Sequence, residues 1–474
     1  MPSRPALLIV PVLLAIAVPP ALVGIRAARA ESRIEAGFGE TDITPALGDK
    51  PVYMAGFGHN RRAAGVHDRL YARAVVLAEQ GRKIALVSVD VVGLFHSSVV
   101  NVRHELADFD YVLVSSTHNH EGPDTLGLWG PTPFQNGVDP AYLRLVEERI
   151  VDVVRAADAA RRPCRAVIGS VRAPELLRDA RLPIVKHDDL VVLEFRDDED
   201  RRTGLVVQWN CHPETLDSTN KQISADFVAP VVEHLKQKRG CPVLYLTGTV
   251  GGLMTTLKLD VRDEDGKSLA DGTFAKTERY GRLLGQAAER ALAAAEPVQL
   301  LPIEVRRREV YLPLDNRLYL LARQLRVLTR DGYLWASDPY HAEPVDPDVL
   351  NKPLCIRTEI GYLRLGQLEI AAIPGEIYPE LVLGGVQHPP DPGADFPDAP
   401  IEPILYDQMK GRYRMLIGLA NDEIGYIIPK RQWDEKPPFC YGRPRAQYGE
   451  QNSLGPETAP ILCEVFRQLV RGTR

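Results

Sequence analysis

The stretch Asp110-Tyr111-Val112-Leu113-Val114-Ser115-Ser116-Thr117-His118-Asn119-His120-Glu121-Gly122-Pro123 runs an apolar segment into two imidazoles and then a Gly-Pro turn signal. Residues 110–116 read as a buried β-strand. In an extended chain residues i and i+2 point to the same face, so His118 and His120 are expected to project together from the strand's end. Strand ends are where open α/β sheets place ligand and catalytic crevices. Neutral imidazole is the commonest protein ligand for transition metals near neutral pH. The plain alternative is two hydrogen-bonded histidines in a turn.

Outward from this strand, β-branched runs alternate with helical patterns. Ala74–Leu77, Lys83–Asp90, Leu190–Phe195, Leu205–Trp209 and Val243–Leu246 read as strands. His96–Asp108, Ala141–Arg161, Phe227–Lys238 and Thr277–Ala295 read as helices, Ala141–Arg161 from its apolar residues at i, i+3 and i+4. This interleaving predicts an α/β fold, a mixed or mostly parallel sheet flanked by helices. The last third is strand-rich, with Glu304–Leu314 and Cys355–Ile373, and helix returns at Leu318–Val327 and Ala459–Val470. Two proline-rich loops, Pro339–Pro353 and Gln387–Pro403, have the length of functional lids or disordered segments. The charged run Arg196–Arg202 reads as a solvated hairpin turn.

Residues 1–30 have the pattern of a signal peptide: Arg4, an apolar run from Ala6 to Ile25 broken by Pro11, Pro19 and Pro20, and the small-x-small site Ala28-Arg29-Ala30. Cleavage there predicts a secreted or periplasmic protein, with a retained anchor as the alternative. Residues 31–474, about 440, are then enough for a sizeable core. The net charge of −6 is spread without a basic stripe, which argues against nucleic acid as a partner. None of the six cysteines forms a C-x-x-C pair, so a cysteine zinc site is not expected, while disulfides remain open. Cys211, beside His212, reads as a small buried apolar residue.

Four further segments carry ligand-type side chains at or near strand ends: Gly65–Ala74, with His67; His212-Pro213-Glu214-Thr215 followed by Asn220–Asp226; Pro374-Gly375-Glu376; and Asn421–Ile428, with Tyr426. Together with Thr117–Pro123 they resemble, in order and without gaps inside the motifs, the neutral or alkaline ceramidase family of zinc-dependent amidases. The patterns are G-[IV]-H-x-R-L-x-A-R-A, T-H-T-H-x-G-P, H-P-T-S with T-N-x-x-I-S-x-D, P-G-E, and the tyrosine segment. The resemblance implies zinc held by His118, His212, Glu376 and Tyr426. It places His120 beside the metal as a supporting or proton-transferring group, and His67 and Asp226 are further candidates to orient or relay the proton. The remaining histidines lack motif context and take solvent or core roles by default.

Two departures stand out. The family's G-D-x-S-P loop falls on Gly251–Thr255, so its serine becomes Met254, with Thr255 or Thr256 as the available substitutes. The sequence ends at Arg474, and the C-terminal immunoglobulin-like domain of full ceramidases is not expected in it. Extra residues between Glu376 and Tyr426, in the second proline-rich loop, are expected to reshape the pocket mouth. The expected activity is hydrolysis of an amide, or an ester, by metal-activated water. The substrate is a small molecule or lipid amide of N-acyl or ceramide type, and a lipid adds peripheral membrane contact. The alternative is an exported metal- or ligand-binding relative without turnover. The H-x-H-x-D-H signature of metallo-β-lactamases is missing, since Gly122 and Pro123 stand where its Asp-His pair would come.

Overall fold

Alternate residues of the central strands face two different cores, and this decides the architecture. Ala74 and Val76 pack with Val112, Val114, Val146, Ile150 and Val153 under a layer of helices. Val75, Leu77 and Leu113 pack instead against Leu363, Leu365, Ile370 and Met415 of a second sheet. Strands buried on both faces read as continuous apolar runs, which is why residues 110–116 lack alternation. The computed structural model describes residues 1–3, 33–346, 349 and 352–472. The expected signal peptide thus lies almost wholly outside the described residues. No described helix is long and apolar enough to cross a membrane.

Eight strands form the main path of the first sheet, in the order Val243–Thr247, Arg202–Trp209, Asp189–Arg196, Arg162–Arg172, Ile34–Asp42, Tyr71–Glu79, Arg82–Val89 and Tyr111–Ser116. The pairs at its two ends are parallel and those between are antiparallel, so the sheet is mixed, as expected. Helices Pro140–Ala159, Val228–Arg239 and Phe274–Ala293 cover one face, the first opened by Pro140 and by the Asp139 carboxylate accepting from the Ala141 amide. Strand Ile34–Asp42 carried no clear apolar pattern because glycines interrupt it. At Gly37 a Cβ would come within 2.1 Å of the Ala157 carbonyl oxygen, so the close seat of the helix demands glycine.

The second sheet holds Pro344–Val345, Gly332–Leu334, Leu354–Leu365, Leu368–Ala372 and Tyr413–Ile417, with Ile303–Pro313 paired to Leu354–Leu365. Helix Thr458–Arg471 covers its outer face. Helices therefore flank a pair of stacked sheets rather than one sheet, the addition that the strand-rich last third makes to the expected fold. A buried polar group ties the two sheets: Asn421 Nδ2 donates to the Tyr111 hydroxyl (2.8 Å) and to Glu359 (3.0 Å), and Arg103 donates to both Glu359 oxygens at 2.8 Å. The Asn421 amide also donates to the Val114 carbonyl (2.7 Å), so the two sheets meet where the histidine-bearing strand ends. All six cysteines are buried and free.

Candidate metal centre

The Tyr111–Ser116 strand stops before the histidines. His118 has φ +66°, in the left-handed region that a non-glycine residue occupies only when its surroundings enforce it. Its amide and that of Asn119 both donate to the Val91 carbonyl, at 3.1 Å. The two imidazoles therefore converge through a turn, not through the pleat that the i, i+2 spacing predicted. Their ring centroids lie 4.8 Å apart, and His212 stands 4.9 Å from His118 and 5.8 Å from His120. Ligand-type nitrogens of the three come within 4.8 Å of one another.

Backbone carbonyls set the tautomers. His118 Nδ1 lies 2.8 Å from the Val92 carbonyl and His212 Nδ1 lies 2.8 Å from that of Met254. A carbonyl only accepts, so each Nδ1 is the protonated nitrogen and each Nε2 is left to act as ligand. Both Nε2 atoms face one oxygen of Glu376, at 3.4 Å from His118 and 2.8 Å from His212. Bonds of roughly 2.0–2.2 Å in a tetrahedron put donor atoms about 3.3 Å apart, the scale of these separations. Glu376 pairs in parallel register with Tyr426 across the short strands Glu376–Ile377 and Tyr426–Ile427, which brings the phenol beside the carboxylate. The Tyr426 ring lies 6.5 Å from that of His212.

Charge accounts for what such a cluster needs. Burial works against a charged His118, yet the Glu376 carboxylate outweighs it and raises the imidazole to about 9. Burial likewise opposes ionisation of Glu376, and His118 with His212 overcomes it, holding that carboxyl well below its usual range. His120 is pushed down, first by burial and then by its two imidazole neighbours. Burial, and then Glu376, keeps the Tyr426 phenol protonated. Two imidazole lone pairs packed on one carboxylate require positive charge between them. A divalent cation supplies it without a proton, and the donors, imidazole nitrogen, carboxylate and phenol, suit zinc.

His118, His120, Glu376 and Tyr426 line a cavity of about 560 Å³, whose other walls are mostly apolar, among them Phe57, Phe95, Leu126 and Trp129, with His59, Arg330 and Glu423 also on the lining. His67 stays outside it. The imidazole is 39% exposed, stacks on Phe274 at 3.6 Å and pairs with Asp68. Asp226 does not reach the cluster either: its carboxylate accepts from the Thr215 amide and hydroxyl and from the Leu216 and Phe227 amides, which fixes the loop after His212. Neither Thr255 nor Thr256 lines the cavity, and the Thr255 hydroxyl accepts from the Leu257 amide (2.9 Å). No residue of the loop 387–403 lines it; residues from 126–134 and 318–330 do.

Two carboxyls escaped the sequence reading. Glu214 lies 3.8 Å from His120 Nδ1, and its Oε1 is buried without a partner. Its signal was its position two residues beyond His212. Glu423 lines the cavity, with Oε1 accepting from the Gly425 amide and Oε2 buried without a partner. Burial, and then the nearby Glu376 charge, pushes it up to about 8. Nothing in the Asn421–Ile428 segment singled it out.

Residues 34–175 match the family described as neutral/alkaline non-lysosomal ceramidase, N-terminal. The neutral ceramidase of Pseudomonas aeruginosa is 27% identical over 290 residues, which span 55% of this chain and 42% of that protein, less than half of its length. The crystal structure of neutral ceramidase from Pseudomonas aeruginosa superposes with a TM-score of 0.70 at 20% identity, over 93% of this chain and 74% of that one. A ceramidase complexed with C2 gives 0.66 at 18% identity, over 93% and 75%. At these identities the structural likeness is one of fold.

Proposed function

For this chain, a divergent member of the neutral/alkaline ceramidase family, we propose zinc-dependent hydrolysis of an amide bond in an N-acyl lipid of ceramide type. The observation that carries the reading is the pair of Nε2 atoms, each freed by a carbonyl on its own Nδ1, facing one Glu376 oxygen. His118, His212, Glu376 and Tyr426 are the residues that would hold the ion. Zinc in such a set supplies a Lewis acid that polarises the scissile carbonyl and acidifies a water molecule. His120, pushed toward its neutral form, takes the proton of the attacking water and returns it to the leaving amine, with the Glu214 carboxylate 3.8 Å away to orient the ring. Asp226 keeps the His212 loop in place. The apolar walls hold the acyl chain and exclude water from the reacting carbonyl.

A second reading, a binding relative without turnover, is favoured by Met254 at the family's serine position and by the absence of Thr255 and Thr256 from the cavity lining. Metal analysis coupled to a panel of N-acyl amides and esters separates the two. The hydrolase reading expects about one equivalent of zinc, with His118→Ala and His212→Ala each losing both metal and turnover. Full activity of metal-free protein refutes it, and stoichiometric zinc without product leaves the binding reading. Export through residues 1–30 belongs to the same proposal, and a mature N-terminus near Glu31 in secreted or periplasmic material tests it.

A further inference from the structure

Glu376 and Glu423 are the carboxyls on the cavity lining, and the histidines engage only the first. Glu423 is 6% exposed. Its Oε1 accepts from the Gly425 amide at 2.8 Å, and among the described residues nothing donates to its buried Oε2. The stem leaves this carboxyl little freedom to find a partner elsewhere. The Glu423 amide donates to Asp422 Oδ1 and its carbonyl accepts from Arg330, while a Cβ on Gly93 would come within 2.7 Å of both Cβ and Cγ of Glu423. Arg330 is the one arginine on the lining, which holds no lysine. Its guanidinium is already engaged: it donates to Asp422 and to the Glu423 and Arg357 carbonyls and lies 4.8 Å from the Phe95 ring centroid. Burial, and then the Glu376 charge, accordingly push Glu423 up to about 8. A buried carboxyl lacking both a donor and a counter-charge is costly, so the position calls for a partner that the chain does not supply.

We propose that Glu423 selects the substrate, its Oε2 pairing with an ammonium group carried on the amine half of the scissile amide. The proposal rests on the hydrolase reading of the site and narrows it to N-acyl derivatives of a diamine or a basic amino acid. That class departs from ceramide, whose amine half carries hydroxyls and no charge. The apolar walls take the acyl chain, which leaves the amine half to residues 423–426, all four of them on the lining and Tyr426 among the candidate ligands. An ammonium there supplies both the missing donor and the missing charge, whereas a hydroxyl supplies the donor alone. Hydrogen bonds between ionised groups are roughly twice as strong as neutral ones. An amine half without a donor leaves the carboxyl unpaired inside a filled cavity, and that penalty is what turns one contact into selectivity.

Matched N-dodecanoyl amides with 2-aminoethyl, 2-hydroxyethyl and n-propyl amine halves test this on the zinc-loaded mature protein, together with the corresponding dodecanesulfonamides, which bind without being cleaved. In wild type, kcat/KM for the 2-aminoethyl amide should exceed that for either of the others by at least about tenfold. Calorimetric affinities of the sulfonamides should follow the same order. Glu423→Gln keeps the shape of the side chain and removes its charge; at wild-type zinc content and circular dichroism it should bring the ratio of 2-aminoethyl to n-propyl to about one. The wild-type order decides the matter even where the variant fails to fold. Equal use of the amides, a preference for the hydroxyl, sulfonamide affinities without the expected order, or an ammonium preference that survives in folded Glu423→Gln would overturn the proposal. Unselective hydrolysis sinks it and leaves the hydrolase reading in place, whereas ammonium-selective sulfonamide binding with no cleavage of any amide sinks the hydrolase reading alone.

Discussion

At the scale of single residues, burial rather than motif membership decides what a histidine does. His187, outside every motif, is fully enclosed with Nδ1 2.8 Å from the Thr249 hydroxyl, and burial drives it down to about 4. Its free form in the unfolded chain titrates near 6.5. Between those values the unfolded state binds a proton that the folded state refuses, so stability falls as pH drops from 6.5 to 4 and the loss levels off below. Relative to His187→Gln, which cannot titrate, wild type should lose up to roughly 3 kcal/mol across that window. Urea unfolding of both proteins at a series of pH values measures it, and a pH-independent difference would mean that His187 accepts the proton in place. His67 makes the converse point, since its motif match led to a stacked, part-exposed ring.

At the scale of elements, the site is assembled by loops whose fit depends on backbone contact. Gly251 packs on the Glu376–Ile377 strand, donating its amide to the Ile377 carbonyl at 3.0 Å. A Cβ there would come within 2.4 Å of the Ile377 carbonyl carbon and 2.6 Å of the Glu376 carbonyl oxygen, backbone atoms that cannot rotate away. Gly251→Ala should therefore displace the Glu376 carboxylate and weaken zinc affinity by roughly 10–100-fold. The direct cost to folding should be about 1–3 kcal/mol. Zinc titration beside circular dichroism distinguishes this from unfolding; unchanged affinity in a folded variant would free Glu376 from the role given to it. The same loop supplies the Met254 carbonyl that fixes His212, so Met254 serves the site through its backbone.

At the scale of the whole molecule, the candidate ligands come from both stacked sheets. His118 and His212 follow strands of the first sheet, whereas Glu376 and Tyr426 follow strands of the second. An ion held by all four cross-links the sheets and stabilises the folded state by mass action, about 2.7 kcal/mol when free zinc is a hundredfold above its Kd. Chelation should therefore lower the unfolding temperature of wild type and leave His118→Ala unaffected. Equal shifts in both would place the stabilising ion elsewhere.

Local chemistry wrote the helices and inner strands plainly: apolar spacing located Pro140–Ala159 and Tyr111–Ser116 nearly to the residue, and ordered motifs picked out His118, His120, His212, Glu376 and Tyr426 before any contact was known. Those signals are legible because they depend on neighbours along the chain. Strand Ile34–Asp42, the stacking of two sheets, the left-handed turn at His118, the buried carboxyls Glu214 and Glu423 and the apolar cavity lining at Leu318 and Phe134 were settled only by tertiary structure. Each of them depends on which distant segment lies opposite. A glycine is required by a helix more than a hundred residues away, a carboxyl loses its water when another strand covers it, and a leucine stays exposed because no described segment folds over it.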